Sequence, residues 1–63
     1  MEKMCEFNVI VNGEVVFKDA VYAKKEGDKV IVKDILGESR EFEKCEILEV
    51  DVKTIRLVLN PIK

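Results

Sequence analysis

Asn12-Gly13 sits between two runs of alternating apolar and polar residues, and it commits this part of the chain to a β-hairpin. Both residues tolerate the positive φ that a type I′ turn demands. Upstream, Cys5, Phe7, Val9 and Val11 fall on one face of a strand read from Cys5 to Val11. Downstream, Glu14 to Phe17 returns as its partner. Lys18-Asp19 reads as a bend, after which Ala20 to Lys25 is either a further strand or a continuation past a bulge. Glu26-Gly27-Asp28 is a second turn, leading into Val30-Ile31-Val32. Asp34-Ile35-Leu36-Gly37-Glu38 breaks the alternation and supplies a third connection.

The second half continues in the same way. Arg40 to Phe42 starts a short strand whose register conflicts with that of Cys45 and Ile47, so a tight turn or bulge is expected at Glu43-Lys44. Ile47 to Val50 and Thr54 to Leu59 read as the last two strands, hinged at Asp51-Val52-Lys53. Pro61 ends the pairing, because it has no N–H to give to a ladder. Ten Val and six Ile against four Leu and two Ala reinforce the strand reading, since β-branched side chains suit the pleat and crowd a helix. Five or six short strands in 63 residues predict an all-β fold, a small SH3-like barrel of antiparallel strands. Barrel closure is expected because it removes exposed edges.

A chain of this length buries only about 60% of its unfolded surface and commonly needs a disulfide, a metal or a partner copy. Two cysteines, Cys5 and Cys45, do not make a disulfide framework. The expected organisation is one domain over residues 1–63, with 1–3 a disordered or non-native extension. No window approaches the ~20 apolar residues of a membrane span, and Met1 to Met4 is too short and charged for a targeting signal. The expected location is therefore the cytoplasm, where thiols stay reduced. A metal or an oligomer is left as the reinforcement.

The residue types exclude much chemistry. Histidine is absent, which removes the usual general base and a common metal ligand. There is no Cys-x-x-Cys, no glycine-rich phosphate loop, and no base beside Ser39. No catalytic residue is assigned and no enzyme is predicted. Lys24 and Lys25, with Lys29 and Lys33 across the hairpin, make a candidate basic patch for RNA, with Tyr22 or Phe17 near enough to stack. Glu26, Asp28 and Asp34 interrupt that patch, and the whole chain carries a net charge of −2 with a pI near 5.1. A solvated hairpin face is the better reading. Cys45 reads as a small apolar filler in a strand.

Cys5 has the same plain reading, weakened by its place at the mouth of the first strand and directly after Met4. Were the chain processed at Met4, Cys5 would present a free amine and a thiolate as a five-membered chelate. With a deprotonated backbone amide this is an N,S donor set of the square-planar kind that Ni(II) and Cu(II) prefer. One chain offers few soft ligands, and a two-fold dimer bringing two copies of Cys5 together would double them.

At these residues the chain resembles the CooT family of small nickel-binding proteins, long labelled predicted RNA-binding proteins. The resemblance runs over nearly the whole chain from Met4. It rests on Met4-Cys5-Glu6 opening into a strand, Lys18-Asp19-Ala20-Val21, Asp34 to Glu38, and the strand pair from Ile47 to Leu59. It implies an SH3-like barrel that forms a homodimer and binds one Ni(II) per dimer through the cysteine beside the initiator methionine, here Cys5. It further implies a metallochaperone role, with a nickel-enzyme apoprotein such as carbon monoxide dehydrogenase as acceptor. Three residues precede the Met-Cys pair here, a departure that bears on the amine ligand. The alternatives are an RNA-binding module using Lys24, Lys25 and Lys29, or an interaction barrel with no ligand.

Overall fold

The computed structural model describes residues 6–62, and every regular element among them is a strand. In chain order these are β1 (Phe7–Val11), β2 (Glu14–Glu26), β3 (Lys29–Asp34), β4 (Ser39–Glu43), β5 (Cys45–Asp51) and β6 (Arg56–Pro61). They form one six-stranded sheet in the order β4-β3-β2-β1-β6-β5. The all-β expectation and its strand count are met.

Three backbone devices shape the sheet. Asn12 and Gly13 both take positive φ, 53° and 80°, and link Val11 to Glu14 in the two-residue hairpin that their sequence demands. Asp19, at φ 61°, sits in a bulge: between Phe7 and Val9 on β1, the facing strand runs from Ala20 to Phe17, one residue more. The extra residue bends β2, which therefore runs unbroken through 13 residues and serves β1 with its first half and β3 with its second. Lys44, at φ 55°, alone separates β4 from β5. There the chain turns a corner: the Cys45 N–H donates to the Asp28 carbonyl (3.0 Å), and the Ile62 N–H to the Lys44 carbonyl (2.6 Å).

That corner explains two departures from an antiparallel closed barrel. Four reversals separate β1 from β6, because the step from β4 to β5 turns a corner rather than folding back. β6 consequently runs parallel to β1, pairing Asn8 with Arg56 through Val11 with Leu59, while the other four ladders are antiparallel. The sheet is also not closed, because no ladder joins its end strands β4 and β5. Thr54 and Ile55, expected in the last strand, form part of the turn before it.

The corner also lays β5 over β3, and the core forms between them. Val9, Ala20, Val30, Val32, Cys45, Leu57 and Leu59 are buried, with Phe7, Val11, Val16, Phe17 and Phe42 packed around them. Each fully buried Val or Leu contributes about 1.5–3 kcal/mol. Cys45 is the apolar filler the sequence predicts, 6% exposed and with a free thiol.

Candidate metal centre

Cys5, the residue singled out for metal binding, lies outside the described residues, two positions before Phe7. What the structure places is the edge from which it leads. Phe7 pairs with Ala20 of β2, and Asn8 with Arg56 at the start of β6. The Asn8 N–H donates to the Ile55 carbonyl at 2.8 Å. Ile55 holds that carbonyl in place at φ 51°, a left-handed conformation that costs a β-branched residue about 1–2 kcal/mol. The loop is braced by Asp51, whose Oδ1 accepts from the Lys53 N–H (3.0 Å) and the Thr54 N–H (3.3 Å). Bonds from Thr54, more than those from Lys53 and the charge of Arg56, hold this exposed carboxyl below its ordinary value of 3.8. The start of β1 is thus fixed on both flanks.

The donor chemistry at this edge is sparse. Among the described residues there is no group of three or more Cys, Asp or Glu side chains able to hold a metal ion. Cys45 pairs with Pro61, at the end of β6 opposite to Arg56. At about 3.3 Å per residue it sits roughly 16 Å along the ladder from the start of β1. Buried there, it is no co-ligand for that edge. Among the described residues, the start of β1 therefore carries no ready-made set of side-chain ligands.

Beside the same edge lies a feature that the sequence reading missed. An apolar groove of about 230 Å³ opens between Ala20–Ala23 of β2 on one wall and Ile47 and Val50 of β5 on the other, with Phe7 and Leu57 at its floor. Ladder register puts Val50 on the core face, opposite buried Leu57, yet Val50 is 55% exposed because no strand covers this end of the open sheet. The signal in the sequence was the run Ala20-Val21-Tyr22-Ala23. Four apolar residues in a row leave a strand with no polar face.

The alternative nucleic-acid residues lie on the β2–β3 hairpin, each already engaged. Lys24 pairs with Glu26 (3.4 Å), Lys29 pairs with Glu41 (3.4 Å), and the Lys25 ammonium donates to the Gly27 carbonyl (2.6 Å). Lys33, the fourth lysine of the candidate patch, lies 5.2 Å from the centre of the Tyr22 ring. The two ion pairs are solvent-exposed, and pairs of that kind contribute about 0–1 kcal/mol.

Fold and surroundings define a class: a small all-β module with a fixed N-terminal edge and an apolar groove beside it. The chain belongs to the CooT family, described as CO dehydrogenase accessory protein CooT, which it matches over residues 4–60. It is also 38% identical over 57 residues to an uncharacterized protein of Methanocaldococcus jannaschii, an alignment covering 90% of this chain and 98% of that protein. The family is one of accessory proteins. Among the described residues, no helix is long and apolar enough to cross a membrane.

Proposed function

We propose that this protein is a cytoplasmic Ni(II) carrier that delivers the metal to a nickel enzyme during its maturation. Cys5 supplies the thiolate, adjacent backbone supplies nitrogen donors, and two copies of the chain hold one ion between them. The observation that carries the reading is membership of a CO dehydrogenase accessory family over residues 4–60, a span in which Cys5 is the second residue. The chemistry agrees with it. Thiolate and amide nitrogen suit Ni(II). Nickel is cargo here, bound and released unchanged.

Titration with Ni(II), followed by thiolate-to-metal charge-transfer absorption, tests the proposal. The wild type gains the band and Cys5→Ser does not. Binding displaces the thiol proton, so apparent affinity rises with pH. Equal nickel binding by the two proteins would refute the carrier reading.

A further inference from the structure

The sheet ends in two unequal edges. β4 is a five-residue strand, Ser39–Glu43, polar at every position but half-buried Phe42. β5 is longer and apolar for an edge: Ile47, Leu48 and Val50 are 37%, 62% and 55% exposed. At its start the Cys45 N–H donates to the Asp28 carbonyl. Beyond that bond, among the described residues, β5 has no backbone partner except β6. Alternate residues of an edge strand point their N–H and C=O groups away from the neighbour, so this stretch is open to a further strand.

The two faces of β5 set what such a strand must carry. Ladder register puts Ile47 and Val50 on the core face, where they wall the apolar groove opposite Val21 and Tyr22. No charged side chain lines the groove, and at about 230 Å³ it falls short of the ~300–1,000 Å³ typical of small-molecule sites. Glu46 and Glu49 stand on the other face, opposite Asn60 and Val58. Neither belongs to an ion pair among the described residues, and Glu46 only accepts from Asn60 Nδ2 at 3.4 Å. Asp51, on that face too, is already held by Thr54, the Lys53 N–H and the charge of Arg56.

A strand laid along β5 sends its side chains alternately to these two faces. One set enters the groove beside Ile47 and Val50, and the other comes beside Glu46 and Glu49, as neighbouring strands bring paired side chains together. The complementary sequence alternates apolar residues with lysine or arginine. A second β5 does not fit, because it sets acid against acid, and like charges directly opposite destabilise a sheet. The bulge at Leu48 keeps the open stretch short, which suits a brief extended segment.

We infer that the free edge of β5 takes up an extended segment of another protein in which apolar residues alternate with lysine or arginine. Its backbone pairs with β5, its apolar side chains fill the groove, and its basic ones meet Glu46 and Glu49. The inference needs neither Cys5 nor bound nickel, so it stands or falls apart from the carrier reading.

The test is amide NMR of the metal-free full chain titrated with a capped heptapeptide of alternating valine and lysine. The expected result is saturable shifts confined to residues 47–51 and 21–23, with slowed hydrogen exchange in β5. Binding is lost when the peptide's valines become serine, when its lysines become glutamate, or when its backbone is N-methylated at alternate residues. Glu49→Lys, a change at an exposed position, weakens binding roughly tenfold, as does Val50→Lys. Val15→Lys, at a 50% exposed position on the β1–β2 hairpin, leaves binding unchanged. Circular dichroism checks that each variant is folded. No saturable shift in β5, shifts centred on β4, or equal affinity in Glu49→Lys would overturn the inference. So would the same β5 shifts on raising the protein concentration alone, since a second copy would then be what covers the edge.

Discussion

The two ends of β5 face the same side of the sheet and meet opposite fates. Cys45, at its start, is 6% exposed beneath the β2–β3 turn, while Val50, near its end, is 55% exposed. Both are small apolar residues on the core face, paired with β6 at Pro61 and Leu57 respectively. What differs is the cover. The corner at Lys44 ties the start of β5 to Asp28 and lays it over β3, whereas the far end opens onto the groove. Burial here is decided by which strands lie opposite, and only secondarily by the residue itself. The chain closes one end of its core and leaves the other end open.

Substitutions at the two ends separate these roles. Leu59, 1% exposed at the covered end, is the largest fully buried side chain, and Leu59→Ala is expected to cost about 2–5 kcal/mol, much of the stability of so small a domain. Urea denaturation reads this as loss of most of the folded baseline. Val50→Ala, at the open end, is expected to cost the monomer under about 1 kcal/mol at concentrations too low for self-association. A core-like penalty at Val50 under those conditions would erase the contrast.

Lys44→Gly sharpens it from the backbone side. Lys44 is exposed and sits at φ 55°, so glycine relieves left-handed strain at the corner without removing a core contact. The expected gain is about 1 kcal/mol, seen as a rise in Tm of about 4–8 °C for a domain of this size. A fall in Tm would mean that the lysine side chain, rather than the backbone geometry, holds the corner.

The smallest effect belongs to Asp51, in the loop at the open end. Its folded carboxyl is held below 3.8, chiefly by the hydrogen bonds from Thr54, so it favours the folded state at pH values above 3.8. That contribution fades as pH falls from 3.8 through the lower folded value. Asp51→Ala should lower Tm slightly at neutral pH, and the gap to wild type should close below 3.8. A gap that persists at the acid end would show that the residue acts through packing and not through its charge.

Local turn chemistry was the most legible part of the sequence. Asn12-Gly13, the bulge near Asp19 and the corner at Lys44 each announce themselves within a few residues, because turn type depends on which residues accept positive φ. The parallel β1–β6 ladder was not legible. It depends on counting reversals across the whole chain, and the single-residue corner at Lys44 changes the count. Thr54 and Ile55 misled for a related reason: their β-branched side chains favour a strand, but the Asp51 turn captures them. The groove was half legible in Ala20-Val21-Tyr22-Ala23, whose apolar run reveals two buried-type faces without saying what covers the second. Lys24, Lys25 and Lys29 looked like a patch in one dimension, and only the structure pairs them with Glu26, the Gly27 carbonyl and Glu41. The choice of Cys5 came from its place after Met4 and from the family pattern, not from packing.

Native mass spectrometry of the full chain with limiting Ni(II) tests the central claim most directly, because it counts chains and metal ions in one species. The account predicts a species of two chains and one nickel ion for the wild type, absent for Cys5→Ser. Nickel bound one ion to each single chain, or retained by Cys5→Ser, would contradict it.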